Sequence, residues 1–394
     1  MVNRIQYAHK SGQTVGLHTR EESQENTDGE SVTGEAVNED TVAKMKVIEN
    51  VIDTYFYKED VDKDAMVDGI FKGMVESLGD PYSEYYSKEE LESLYQDSFG
   101  VYYGVGAYVS LDTTTGLAKV SGIIADSPAE EADLRAEDII YKVDDVDVTG
   151  MSLQETVSLI KGDENTTVKL TLIRDGKEIE KEVTRRKVES PTVNFKMLDD
   201  GMAYIQITEF DTVTVDQFTE AMAMARGNDM KGLILDLRSN PGGNLSSVVS
   251  IAKQMLPKGL IVYTEDRDGN REEYSCDGSK ELDVPMVVLV NGNSASASEI
   301  LAGAIKDYGI GTLVGTTTFG KGIVQRPIEL SDGSAVKLTI SSYYTPNGIN
   351  IHGIGIEPDV ECEFDSERYY SDEAYDNQLE KAKEVLLQKM EGTN

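Results

Sequence analysis

The 394-residue sequence is poor in histidine and cysteine. Its three histidines are His9, His18 and His352, so only His352 could serve a histidine-based site in the folded part of the chain. A metal site with three histidine ligands is therefore nearly excluded. The two cysteines, Cys276 and Cys362, are too few for a disulfide framework or a cysteine-rich zinc site, and the sequence leaves open whether they pair.

Basic residues are also scarce, and the formal net charge is −35. Binding to nucleic acid needs clustered Lys and Arg, and docking on an anionic membrane needs basic residues too, so both partners are disfavoured. The sequence has no apolar run long enough to span a bilayer, and its first residues lack the apolar core of a signal peptide. We therefore predict a soluble chain without a membrane segment, which either works in the cytoplasm or lacks its targeting segment.

The N-terminal part of the chain contains two predicted regions. Residues 1–40 are predicted to be a disordered acidic tail, because the stretch from Glu21 to Asp40 contains no Lys or Arg and almost no large apolar residue. Residues 41–97 carry apolar residues at helical spacing, which predicts a helical N-terminal region. We expect this region to serve packing or to join two copies of the chain as a homodimer.

The remainder of the chain has a different pattern. Residues 98–188 contain short β-type runs around one helix, which predicts a small β-rich domain. Residues 189–394 alternate strands and helices up to about residue 360 and end in a helix at 377–390. The sequence thus predicts a multidomain α/β protein whose largest part is an α/β layer fold.

The segment VNGNSASASEI, residues 290–300, joins a buried apolar strand to a helix. A serine hydroxyl at this junction would be exposed at the strand end, beside the N–H groups of a helix N-terminus that stabilise a developing oxyanion. The run from Ser296 to Glu299 also matches a helix capping box. These residues alone favour a helix cap over a nucleophile, and they do not choose among Ser294, Ser296 and Ser298.

A second segment, TTTFGKGIVQ, places Lys321 between two glycines. A surface lysine in a turn is one interpretation. The other is a general base, which requires a pKa below the usual value of about 10.4, and burial among apolar side chains lowers the pKa of a lysine. Phe319, Ile323 and Val324 could supply such surroundings, and Gln325 could position the amine without adding a charge.

The same segment also matches the spacing of a phosphate-binding loop from Gly315 to Lys321. Such a loop continues with Ser or Thr, which holds magnesium, whereas this sequence continues with Gly322. Nucleotide binding is therefore a weaker alternative.

A third segment, DLRSNPGGN at residues 236–244, follows an apolar strand and precedes a helix. Gly242 and Gly243 could form a turn whose N–H groups point outward and bind an anion. A simple tight turn explains the same residues equally well.

Taken together, the three segments resemble the C-terminal processing peptidases, also called tail-specific proteases. That family has the patterns D-L-R-x-N-P-G-G, S-A-S-A-S-E and T-x-F-G-K-G-x-V-Q in this order, and Lys321 follows Ser296 by 25 residues. The resemblance implies that Ser296 is the nucleophile, Lys321 the general base and Gln325 their partner, with no metal or cofactor. It further implies an oxyanion hole formed by the backbone N–H groups of Ala297, Gly242 and Gly243.

The resemblance extends over about residues 41–385 and implies a PDZ domain at 98–188, followed by a core resembling the crotonase-like/tail-specific protease fold. A PDZ domain binds a C-terminal peptide along a sheet edge and holds its carboxylate on backbone N–H groups, here those of Tyr103, Gly104, Val105 and Gly106. The sequence departs from the family at the PDZ turn, where Asp133 and Glu137 replace glycines, and at Lys161, where arginine is common. These departures concern peptide preference and gating.

The function implied by the resemblance is that of a serine endopeptidase that uses a Ser–Lys dyad to cleave proteins near their C-termini. The PDZ domain would recognise the substrate tail and gate activity, and the partners would be proteins or peptides with exposed C-termini. Because family members usually carry a signal or membrane anchor, the resemblance also implies an extracytoplasmic location at the cell envelope. A non-catalytic PDZ scaffold that binds C-termini is the alternative from another class.

Overall fold

The computed structural model describes residues 35–58, 60–112, 114–371 and 375–392. The helices are α1 (Glu39–Tyr55), α2 (Lys63–Glu76), α3 (Lys88–Phe99), α4 (Pro128–Glu131), α5 (Leu153–Ile160), α6 (Thr214–Gly227), α7 (Leu245–Ala252), α8 (Ala297–Tyr308), α9 (Ser366–Tyr369) and α10 (Asn377–Met390). The predicted acidic tail lies outside the described residues up to residue 34, and its last two residues already belong to α1.

The strands lie between these helices along the chain, singly or in series. They are β1 (Glu84–Tyr86), β2 (Val101–Gly104), β3 (Ala107–Leu111), β4 (Ala118–Ile123), β5 (Ile139–Val143), β6 (Val146–Asp147), β7 (Thr167–Arg174), β8 (Lys177–Thr184), β9 (Arg186–Glu189), β10 (Val193–Met197), β11 (Met202–Ile207), β12 (Gly232–Asp236), β13 (Gly259–Asp266), β14 (Arg271–Cys276), β15 (Met286–Val290), β16 (Gly311–Gly315), β17 (Ile323–Glu329), β18 (Ala335–Tyr344) and β19 (Val360–Glu361). Cys276 and Cys362 are both free thiols.

The chain divides into two compact units, and the first comprises the residues up to Leu91 together with Gln325–Thr339. Its helices begin at clear caps. Asp62 accepts the N–H groups of the first turn of α2, and Ser87 and Glu90 form a capping box at the start of α3. Strand β1 pairs antiparallel with the first residues of β18.

The second unit comprises Glu92–Val324 and the residues from Ile340 onward. Its first part is an antiparallel sheet in the order β3-β4-β5-β7-β8, with β6 paired to β5. Strand β3 lies at the edge of this sheet, and α5 packs beside it. Helix α5 begins at the capping box of Ser152 and Glu155 and ends at Ile160. The edge strand and the helix together frame a groove.

The larger part of the second unit is a six-stranded sheet in the order β10-β11-β12-β15-β16-β19. All neighbours are parallel except β10, which is antiparallel to β11. Side chains such as Leu233 and Leu235 pack on one face against α6, α7 and α8, whereas Ile234 and Leu289 pack on the other face against α10. Strands buried on both faces are continuously apolar, as MVVLV is here and as GLIL is in β12 before its last residue, Asp236. The predicted multidomain α/β fold is confirmed.

Strand order determines where the three sequence segments lie. β12, β15 and β16 are adjacent and parallel, so their carboxyl ends share one edge of the sheet. The loops at 237–244, 291–296 and 316–322 leave from these three ends. This edge is where ligands bind in open α/β sheets.

Candidate active site

Two buried serines join the loops after β12 and β15. The hydroxyl of Ser294 donates to the carbonyl oxygen of Leu237 (2.8 Å), and that of Ser298 donates to the carbonyl oxygen of Asn240 (3.0 Å). Both serines are fully buried, whereas Ser296 is half-buried. The hydroxyls of Ser294 and Ser298 therefore hold the loops together, and Ser296 is the serine of the three that retains access to solvent.

The backbone of Ser296 is unusual for a helix cap. Its φ of 53° and ψ of −112° lie far from the β-region angles of ordinary cap residues. Positive φ is costly for residues with a β-carbon and concentrates at functional sites. The predicted capping box is present nonetheless, and in it the Glu299 carboxylate accepts the N–H of Ser296 (2.9 Å).

Glu299 also binds the loop that carries Lys321. Its carboxylate is fully buried and accepts the Thr318 hydroxyl (2.6 Å), the Gly320 N–H (2.7 Å) and the Lys321 N–H (2.9 Å). The N–H groups of Ser296 and Lys321 share one carboxylate oxygen, Oε2. Sequence reasoning assigned Glu299 only to capping. The available signal was a carboxylate in the first turn of a helix whose other residues up to Ile305 are small or apolar and are buried.

These hydrogen bonds bear on the alternative of nucleotide binding. A phosphate-binding loop points its N–H groups at phosphate oxygens and continues into a helix. Here a carboxylate occupies the N–H groups of Gly320 and Lys321, and the chain continues into strand β17. The loop is therefore not a phosphate cradle.

The turn at Gly242 and Gly243 lies against Ser296. A β-carbon on Gly242 would be 2.8 Å from Cβ of Ser296 and 3.0 Å from the amide nitrogen of Ala297. The N–H of Gly242, however, donates to the side chain of Asn240 (2.8 Å), which argues against its predicted role as an oxyanion donor. Within the described residues, the N–H groups of Gly243 and Ala297 have no acceptor, and these two remain the candidate donors.

The surroundings of Lys321 differ in part from the prediction. Lys321, Ile323 and Val324 are half-buried, but Phe319 is 55% exposed and does not form an apolar wall. Gln325 belongs to the first unit, where its amide donates to the Thr339 hydroxyl (3.1 Å), so its role as partner of the dyad stays a prediction.

The remaining candidate base, His352, lies on the surface beside the lysine loop. Its side chain is exposed, and its Nδ1 accepts the N–H of Gly322 at 3.4 Å. A weak contact to the main chain is what an exposed loop histidine commonly makes. The geometry therefore gives no reason to prefer His352 over Lys321.

Three stretches of the chain match known protein families. Residues 201–362 match peptidase family S41, residues 119–174 match a PDZ domain, and residues 4–90 match the N-terminal domain of the activating protease CtpB. The chain is 38% identical over 320 residues to the carboxy-terminal processing protease CtpA of Bacillus subtilis, which covers 81% of this chain and 68% of that protein. The chain belongs to the C-terminal processing peptidases of family S41.

Two further proteins are similar to this chain. The carboxyl-terminal-processing protease of Synechocystis is 38% identical over 292 residues, covering 73% of this chain and 68% of that protein. A solved structure described as an S41 protease from Bacteroides fragilis has a TM-score of 0.52 at 18% identity, covering 88% of this chain and 97% of that one, and supports the fold alone. The resemblance inferred from the three segments is confirmed, and this S41 chain is a protease.

The PDZ domain of this S41 peptidase contains a groove between β3 and α5. A cavity of about 320 Å³ lies there, lined by Asp97, Tyr102, Gly104, Val105, Gly106, Ala107, Tyr108, Val109, Ile124, Val157, Ile160, Lys161 and Ser190. The side chain of Tyr103 does not line it, because β2 pairs with β9 and leaves this side chain exposed, and the role of the Tyr103 N–H in holding a carboxylate stays a prediction. Tyr102 lines the groove instead.

Among the helices that the structure describes, none combines the length and the apolar character that a membrane crossing needs.

Proposed function

We propose that this S41 peptidase is a serine endopeptidase that cleaves protein substrates near their C-termini with Ser296 as nucleophile and Lys321 as general base. The observation that carries the proposal is the position of Glu299. One oxygen of its carboxylate accepts the N–H groups of both Ser296 and Lys321, each at 2.9 Å, so the two amide nitrogens are at most twice that distance apart. Two groups that must exchange a proton need such proximity.

The proposed reaction is acyl transfer in two steps. The neutral amine of Lys321 accepts the Ser296 hydroxyl proton while the oxygen attacks the scissile carbonyl carbon. The N–H groups of Gly243 and Ala297 stabilise the oxyanion, and the Ala297 N–H adds the dipole of α8. The C–N bond then breaks, and Lys321 gives its proton to the leaving amine. Finally, Lys321 accepts a proton from water, whose oxygen attacks the ester carbonyl carbon. Lys321 then gives this proton to the Ser296 oxygen as the ester C–O bond breaks, which releases the acid product and restores both residues.

Tail recognition is proposed for the groove of the PDZ domain. Edge strand β3 can accept a peptide as a further strand, and the loop of Gly104, Val105 and Gly106 can hold the terminal carboxylate. The names of the Bacillus subtilis and Synechocystis relatives, which describe processing at the carboxyl end, support such substrates. By the same analogy we propose an extracytoplasmic location.

Gating by the PDZ domain is supported by a short path in the second unit. Asp97 lines the groove. The carbonyl oxygen of its neighbour, Ser98, accepts the side-chain amide of Asn244 at 2.6 Å, and Asn244 directly follows the candidate donor Gly243. Peptide binding that displaces Asp97 would shift the turn that contains Gly243 through this hydrogen bond.

We also propose that α1 pairs two copies of the chain. None of its residues is buried, and one face exposes Val47, Ile48, Val51 and Tyr55. The opposite face carries Glu49 and Asp53, which pair with Lys63. A contiguous apolar face of this kind marks an interaction surface. A second copy of α1 offers the same face, called here the apolar stripe, for pairing.

The deciding experiment compares Ser296→Ala and Lys321→Ala with the wild type. Each purified chain is incubated with a carrier protein that bears an exposed apolar C-terminal tail, and mass spectrometry identifies the products. We expect turnover to fall at least about 10³-fold in both variants, because each removes a group that acts in every step. The matched controls Ser246→Ala and Lys253→Ala, together with His352→Ala, should retain turnover.

Full activity in either dyad variant would refute the Ser–Lys assignment. A wild-type chain that binds the tail without cutting it would favour the PDZ scaffold instead. Mass spectrometry of the products also locates the cleavage site relative to the C-terminus.

A further inference from the structure

Tyr343 contacts both proposed catalytic residues through their main chain. Its hydroxyl lies 3.1 Å from the carbonyl oxygen of Ser296 and is also hydrogen bonded to the carbonyl oxygen of Lys321. Its own N–H donates to the carbonyl oxygen of Gly322 (3.0 Å). The side chain is only 2% exposed, so water does not replace these contacts.

Glu299 provides the complementary half of this arrangement. Its carboxylate accepts the N–H groups of Ser296 and Lys321, whereas the Tyr343 hydroxyl faces the carbonyl oxygens of the same two residues. Both residues are thus held on both sides of their backbone by the same two side chains. We propose that Glu299 and Tyr343 are positioning residues that set the separation of Ser296 and Lys321; this inference rests on the proposed function.

The two side chains come from different elements. Glu299 lies in the first turn of α8. Tyr343 lies near the end of β18, where it pairs with Thr264 of β13. Glu299 and Tyr343, together called the clamp, therefore join the strand-to-helix turn of the nucleophile and the loop of the base to a strand outside the parallel sheet.

The hydroxyl of Tyr343 stays a donor over the pH range of enzyme assays. Burial, and then the charge of Glu299, hold the pKa of Tyr343 well above its usual range. A phenol has one proton, so the two carbonyl oxygens share it. Loss of this hydroxyl would remove the hydrogen bonds from Tyr343 to both carbonyl groups, and the loops of Ser296 and Lys321 could separate.

The test is Tyr343→Phe, which removes only the hydroxyl. Its matched control is Tyr308→Phe, which removes a hydroxyl that donates to the carbonyl oxygen of Leu260 (2.9 Å) at the far end of α8. We measure kcat and KM on the tailed carrier protein, the pH profile of kcat/KM, the rate at which a fluorophosphonate labels Ser296, and the melting temperature. Glu299→Gln is measured in the same way.

For Tyr343→Phe we expect kcat and the labelling rate to fall at least about 10-fold with little change in KM, because misplaced reacting groups lose rate rather than binding. The acidic limb of the profile should move to higher pH, since an amine freed toward water binds its proton more tightly. Tyr308→Phe should match the wild type in all four readouts. A role in stability alone would lower the melting temperature and leave the labelling rate and the pH profile unchanged.

Wild-type kcat and pH profile in folded Tyr343→Phe would overturn the clamp. If that variant does not fold, Glu299→Gln decides by the same criteria. The two hypotheses fail separately: activity in Ser296→Ala or Lys321→Ala refutes the dyad, whereas inactive dyad variants beside a fully active Tyr343→Phe refute only the clamp.

Discussion

Gly242 and Ser296 approach so closely that no side chain fits between them. A β-carbon on Gly242 would lie 2.8 Å from Cβ of Ser296, and Gly242 has a φ of 112°, which residues with a β-carbon rarely adopt. The loop after β12 therefore touches the nucleophile turn after β15 through bare backbone. This contact explains the need for glycine in the segment DLRSNPGGN.

Gly242→Ala should displace this turn from Ser296. We expect kcat/KM to fall about 100-fold, because a shift of about 1 Å at a reacting centre costs roughly this factor. The control is Gly227→Ala at the end of α6, where an added β-carbon meets nothing within 4 Å. Wild-type kcat/KM in Gly242→Ala would show that the contact does not constrain the site.

Arg238 should contribute strongly to stability. It donates to Asp236 (2.7 Å) and to Asp376 (2.8 Å), and so links the end of β12 to the start of α10. We expect Arg238→Ala to lower the free energy of unfolding by about 3–5 kcal/mol, because it leaves two carboxylates in a buried setting without their partner. Urea denaturation measures the change. Exposed Arg226→Ala serves as control and should stay within about 0.5 kcal/mol of the wild type.

Asp211 should make stability fall as pH rises. Burial, together with Glu209 and Asp97, raises the pKa of Asp211 to about 7, whereas an unfolded Asp titrates near 3.9. The folded state therefore keeps a proton that the unfolded state releases, and this contribution is complete below about pH 4 and lost as pH passes 7. We expect the melting temperature of Asp211→Asn to fall less between pH 5 and pH 8 than that of the wild type.

The control for this pH effect is Asp216→Asn, on the exposed side of α6. It should keep the pH dependence of the wild type. Equal slopes for the wild type and Asp211→Asn would mean that Asp211 is ionised in the folded state throughout this range.

Substitution in the exposed face of α1 should separate the two copies of the chain. Val51→Asp places a charge in the middle of the stripe, and we expect the sedimentation coefficient to change from that of a dimer to that of a monomer. Asn50→Asp adds the same charge outside the stripe and should leave the dimer intact. A wild-type chain that sediments as a monomer at micromolar concentration would contradict the pairing.

Much of the architecture could be predicted because it depends on local pattern. The final helix covers residues 377–390 as predicted, and capping boxes at Ser87 and Ser152 begin α3 and α5. Apolar periodicity and caps act over a few residues, so one sequence is enough to read them. The order and spacing of three short segments were likewise sufficient to indicate the family.

Contacts between distant parts of the chain could not be predicted in this way. Tyr102 rather than Tyr103 lines the PDZ groove because β2 pairs with β9, more than 80 residues away. The N–H of Gly242 is occupied by Asn240, and Phe319 is exposed, although both had been expected to serve the site. Neither outcome follows from residue type or spacing.

The sequence by itself determined which residue types meet at one edge of the sheet, since three segments at the ends of buried strands must emerge where parallel strands end. Only the tertiary structure decided how Ser296 and Lys321 are held. Glu299 binds the N–H groups of both residues, and Tyr343, from another strand, binds their carbonyl oxygens. Hydrogen bonds depend on positions within a few tenths of an ångström, and those positions are set by the packing of elements that are far apart in the chain.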